Sequence, residues 1–218
     1  SMMMREKIFN YQQLAQKFLG DAEAQFVAPH GSTADNDKID AALILSLRRL
    51  FARDQVKRET FVMGFYASAS TAPLTGNIFQ GQPTSYQVLS DIGAAANKEI
   101  TFGGQVSTIV DASSTSTGVG LMFNDAGVVV LDIKKILAGS QVMSGAIHAM
   151  RSGVLDTWTA HGQTPMSAAF IPNFLTSASI DNIVDHIASV RFGSGTLSSM
   201  TFQNVTNVNS TILSARLG

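Results

Sequence analysis

Four histidines, His30, His148, His161 and His186, are the side chains best suited to proton transfer or metal binding near neutral pH. None stands in H-E-x-x-H or another ligand spacing. His161 precedes Gly162 and lies close to Trp158, so this pair gives the candidate ligand contacts of the chain. His148, Asp111 and Asp156 complete the set from which an enzyme would assemble a site in three dimensions. Tyr66 and Tyr86, with Trp158, would be the stacking platforms of a carbohydrate-binding module.

Clustered carboxylates occur twice. Asp181 and Asp185 are i, i+4 neighbours beside His186. The same helix would bury Ile180, Ile183, Val184 and Ile187, which puts the aspartates on its wet side. Asp35, Asp37 and Asp40 lack the glycine and terminal glutamate of a calcium loop and read instead as helix-capping residues. No G-x-S-x-G elbow and no phosphate-binding G-x-x-x-x-G-K-[ST] is present. Gly118-Val119-Gly120 leads into a strand, so no helix N-terminus follows to hold a phosphate. Phe192-Gly193-Ser194-Gly195 reads as a connector. With no cysteine, disulfides, thiolate zinc sites and a cysteine nucleophile are excluded. No cofactor or metal is expected.

Charge points elsewhere. Only 14% of the 218 residues are charged, and the net charge is −1. A typical soluble domain has about 25% charged residues. The first 60 residues hold nine Lys/Arg and eight Asp/Glu, leaving six and eight for the remaining 158. Arg48, Arg49, Arg53, Lys57 and Arg58 form the one basic cluster. Asp54 and Glu59 interleave with it, so it reads as a salt-bridged helix end rather than a nucleic-acid surface. Two N-x-[ST] triplets, at Asn204 and Asn209, are short enough to arise by chance. No run of 18 uncharged apolar residues exists to span a membrane. Ser1-Met2 resembles an expression remnant, and no secretory signal is recognisable.

The elements that would position these residues fall into two regions. Residues 1–59 read as a helical N-terminal arm. Ile8, Tyr11, Ala15, Phe18 and Leu19 recur at helical spacing over residues 5–19, and Gly20 ends the run. A second helix is expected from Thr33 or Asp35 to Arg53. Its Leu43, Ile44, Leu45 and Leu47 cover more than one side, which makes them candidate oligomer contacts. Residues 60–218 read as a β-rich α+β domain, mostly antiparallel, with a few packed helices. Strands are expected at residues 60–66, 99–102, 105–110, 119–123, 128–131, 197–205 and 210–217. A short helix is expected to start near Pro83, a weaker one over residues 140–150, and a polar loop at residues 113–118. Ser179 should cap a helix over residues 179–190. Val128-Val129-Val130-Leu131 follows the turn Asn124-Asp125-Ala126-Gly127 and is apolar throughout. It should be a central strand covered on both faces, by the Ser179 helix on one side. The Ile39–Phe51 helix or a second subunit should cover the other.

These features imply a structural, self-assembling protein, a virion or phage tail component forming a homo-oligomer with itself and other structural subunits. An enzyme with a scattered site and a ligand-binding module are the alternatives.

Overall fold

A computed structural model describes residues 2–47, 54–69, 83–137, 140–142, 167–169, 175–188 and 199–206. It is an α+β fold: a curved antiparallel sheet with helices on both faces. The chain opens with α1 (Met2–Leu19) and makes a 3₁₀ turn at Asp35–Asp37. It then forms β1 (Ala42–Ser46), β2 (Gln55–Val56), β3 (Val62–Ala69), β4 (Pro83–Ser90) and β5 (Glu99–Thr101). There follow β6 (Gly104–Asp111), β7 (Ser114–Phe123), β8 (Val128–Asp132), α2 (Ile133–Ile136), β9 (Ser140–Val142) and β10 (Ser167–Ala169). The last elements are α3 (Leu175–Ser177), α4 (Ile180–His186), β11 (Ser199–Thr201) and β12 (Asn204–Val205). Eight strands form the main sheet in the order β1-β8-β7-β6-β4-β3-β11, with β5 added on β6. No helix among the described residues is long and apolar enough to cross a membrane.

Two apolar clusters sandwich the sheet, and β8 explains why. Its five residues are all buried. Alternation sends Val129 and Leu131 to one face and Val128 and Val130 to the other. On the first face they meet Ile133 and Ile136 of α2, Ala178, and Ile183 and Ile187 of the α4 segment. Ser179 caps α4, its hydroxyl accepting from the Asn182 N–H. This is the cover expected from the sequence.

The second face is covered differently from expectation. The helix expected from Thr33 or Asp35 to Arg53 gives way to a strand: residues 42–46 form β1, paired with β8 in unbroken register from Ala42↔Asp132 to Ser46↔Val128, and residues 48–53 lie outside the described residues. The consecutive Leu43, Ile44 and Leu45 are apolar because a strand uses both its faces. Leu43, Leu45 and Leu47 pack with the α4 cluster, Ala42 and Ile44 with the opposite one. The second cover is α1 itself with the segment behind it: Ala15, Phe18, Phe26, Ala28 and Ile39 are all buried there. Phe18 stacks on Phe123 at 4.4 Å, and Phe26 meets Phe123 edge-on at 5.9 Å. Each such ring contributes about 1.5–3 kcal/mol through burial. The helical arm is thus laid on the sheet, and the same stretch of chain supplies β1.

Three further expectations change. Residues 83–90 form strand β4 instead of starting a helix. The polar stretch Ser114 to Gly118 belongs to β7, whose first four residues are exposed, so polarity there marks a solvent-facing hairpin. Residues 140–142 are strand β9; the rest of the helix expected over 140–150 lies outside the described residues, as does the strand expected at 210–217.

Candidate functional site

The helices on the two faces flank the edge strand β1, and between them runs a groove of about 820 Å³. Its walls include Ile8 and Tyr11 of α1 and Ile180 and Val184 of α4, and its floor includes Leu43 and Ile44. Lys7 links the two walls: its ammonium donates to the carbonyls of Leu175 at 2.5 Å and Ala178 at 2.6 Å. Burial pulls the Lys7 pKa down, and the neighbouring Glu6 carboxylate acts against that shift. Tyr11 is a structural post. Its hydroxyl donates to the Ile39 carbonyl and accepts from the Phe26 N–H, and burial pushes its pKa up to about 12.

Along α1 the exposure changes abruptly. In residues 2–10 only Lys7 is half-buried; every other residue is exposed, including Met3, Met4, Ile8 at 52% and Phe9 at 58%. From Tyr11 onward, Leu14, Ala15, Phe18 and Leu19 turn to the sheet. Gly20, at φ +82°, ends the helix in the left-handed region that suits glycine.

A second apolar projection sits at the tip of the β5–β6 hairpin, where Ile100 and Phe102 are 76% and 77% exposed. Polar clamps hold this corner. The Arg58 guanidinium donates to the carbonyls of Ala94 and Glu99 and to the Gln105 side chain. The Glu59 carboxylate accepts from the Gly93 and Ala95 N–H groups, and buried Asp91 accepts from those of Glu59 and Phe61. Arg58 is therefore a loop clamp and not part of a salt-bridged helix end; Arg48, Arg49 and Arg53 lie outside the described residues.

The other sequence candidates separate as follows. Trp158, His161, His148 and Asp156 lie outside the described residues. Asp35, Asp37 and Asp40 each pair with a lysine, Lys38, Lys135 and Lys134 respectively. Lys135 also donates to the Ala28 and Gly118 carbonyls, tying the segment behind α1 to the sheet. Asp111 feels burial, which raises its pKa, but hydrogen bonds from Ser113 and Gln87 outweigh this and hold it below the usual range. Tyr86 is 43% exposed, and Asp181 faces solvent as its helical position predicts. Among the described residues, no group of three or more His, Cys, Asp or Glu is placed to hold a metal ion. Of the candidate oligomer contacts, Leu43, Ile44 and Leu45 are half-buried on the edge strand and Leu47 is half-buried just after it.

Sequence reasoning missed both the groove and the exposed half of α1. The signal was present in MMMREKIFN: Met2, Met3, Met4, Ile8 and Phe9 point all round the helix, more than a single core-facing stripe can use. The fold defines the class, an α+β protein built on one antiparallel sheet with a helix-covered face on each side. No protein-family model matches the chain, and no curated protein or solved structure matches it either.

Proposed function

We propose that this chain is a structural, self-assembling subunit, of the kind that builds a virion or tail, and that its first partner is another copy of itself. One observation carries the reading. Most of the large apolar side chains that stand exposed are grouped on two projections, the first half of α1 and the β5–β6 tip. Grouped exposed apolar residues mark surfaces that another molecule covers. The low charge fits, since depletion of charge characterises the centres of interfaces. A net charge of −1 sets up little repulsion between copies.

Sedimentation velocity across a range of concentrations tests the proposal. A mass that rises to a defined oligomer or larger assembly is expected; a monomer at every concentration removes the reading. A second reading, a ligand-binding module, has support from the groove. Its 820 Å³ falls within the range of small-molecule sites, about 300–1,000 Å³, and its walls are mostly apolar. Fluorescence enhancement of an apolar dye, abolished by Val184→Asp, would favour that reading.

A further inference from the structure

We propose that residues 210–217 of this same chain add a strand to the side of β1 turned away from β8, antiparallel to β1, in the groove between α1 and α4. The proposal is independent of the self-assembly reading, because it concerns what covers β1 within one copy. The Ala41 carbonyl accepts from the Ile133 N–H at 3.0 Å, and the Leu47 N–H donates to the Gly127 carbonyl at 2.8 Å. With the register, these bonds fix the alternation: residues 41, 43, 45 and 47 turn their backbone groups to β8. Ala42, Ile44 and Ser46 turn theirs the other way, and among the described residues no strand or backbone hydrogen bond meets them. Backbone groups beside apolar walls require partners, and a bare edge invites pairing with other chains. A second copy's β1 does not fit as that partner. Each β1 lies on the floor of a groove with helical walls, so two such edges meet wall to wall before the strands come within about 4.8 Å. A single extended segment fits.

The chain brings residues 210–217 to the right place. Its described part ends at Thr206, just after β12, which pairs with β2 as Asn204↔Val56 and Val205↔Gln55. Val56 of β2 is bonded to Asn124, and Leu47 after β1 to Gly127, the two ends of one turn. Thr206 therefore lies at the end of the sheet where β1 finishes. Residues 207–218 can span about 40 Å, against about 17 Å for β1. Asn207-Val208-Asn209 supplies residues that turn readily. Leu213, Ala215 and Leu217 then alternate with Ser214 and Arg216. The apolar row suits the α4 wall, where Ile180 and Val184 line the groove beside Leu43. The polar row suits the α1 side, which carries Gln12, Glu23 and Gln25. A tethered segment also has an advantage in effective concentration over any separate chain.

Amide hydrogen exchange on the full chain and on a chain ending at Thr206 tests this. The Ala42, Ile44 and Ser46 amides are expected to be protected in the full chain and to exchange at least about tenfold faster in the shortened one. The amides of Leu43, Leu45 and Leu47 should stay protected by β8 in both, which also reports that the sheet is intact. Equal exchange at residues 42, 44 and 46 in the two chains overturns the proposal. Cysteine pairs in the full chain give a second measurement that needs no truncation, since the chain has no cysteine of its own. Neighbouring strands set alternate side chains on the same face. Ser46→Cys with Ile212→Cys or Ser214→Cys should therefore close an intramolecular disulfide faster than Ser46→Cys with Thr211→Cys or Leu213→Cys. Closure without this alternation, or no closure at all, overturns the proposal. A disulfide-linked dimer in place of the intramolecular product overturns the placement within one copy and assigns the strand to a second copy.

Discussion

The two halves of α1 belong to one continuous helix with similar apolar content, yet they are different surfaces. Residues 11–19 are seated: Ala15 and Phe18 are buried, Phe18 against Phe123, and Tyr11 bonds to two backbone groups. Residues 2–10 are held to the body through Lys7 and leave Ile8 and Phe9 half or more exposed. Apolar content therefore does not say what a helix is for. A ring that finds a hole in its own sheet stabilises the fold, while one that finds none stays exposed to solvent.

That contrast can be broken most severely by truncation. Removing residues 1–59 deletes β1, β2 and the whole second cover of β8, so the remainder should fail to fold, as read by loss of a cooperative thermal transition. A remainder that keeps its transition would show the arm to be separable. Point changes sharpen the same comparison. Phe18→Ala should cost about 3–5 kcal/mol in urea unfolding, whereas Phe9→Ala should stay within about 0.5 kcal/mol. Equal costs would mean that the helix is seated along its full length.

Gly118→Ala probes the seat from the sheet side. A Cβ there would lie 2.4 Å from the Pro29 nitrogen, so Ala28 and Pro29 must shift. The cost should be about 1–3 kcal/mol by the same unfolding assay. The smallest effects separate buried carboxylates from those at the rim. Burial raises the pKa of Asp91 and Asp132, so their native forms hold protons more tightly than the unfolded chain. Their contribution favours folding most below the ordinary value of 3.8 and is lost as pH rises through the raised native pKa. Hydrogen bonds from Ser32 and Lys135 lower Asp37, and one from Lys134 lowers Asp40. Their contribution is present above the ordinary value and is lost as pH falls through the lowered native pKa. Carboxyl-carbon titration by NMR should place Asp91 and Asp132 above 3.8 and Asp37 and Asp40 below it.

Much of the sheet was legible in the sequence because its strands carry β-branched runs bounded by turn residues. The strands β5, β6 and β8, the apolar half of β7 and the turn at Asn124 lie where alternation and turn chemistry put them. Asn124 adds what a turn signal cannot show: it is fully buried, accepting from the Ser107 hydroxyl and donating to the Val56 carbonyl. The strand β1 was misread because a strand used on both faces is an unbroken apolar run, which periodicity cannot distinguish from a buried helix. The strand β4 was misread because Thr84 and Ser85 after a proline imitate a helix start. The groove was illegible for another reason. It is formed where α1 and α4, over 150 residues apart in sequence, flank one strand edge. The exposed half of α1 was within reach, since its apolar residues outnumber the positions that one buried stripe can hold.

On the proposed function, residues 2–10 serve association, while residues 11–19 are seated on the sheet. Sedimentation velocity of the full chain beside a chain lacking residues 2–10 tests it most directly, with circular dichroism confirming that both are folded. A concentration-dependent oligomer is expected for the full chain, and a folded monomer, or a much weaker association, for the shortened one. Identical association of the two chains would contradict it.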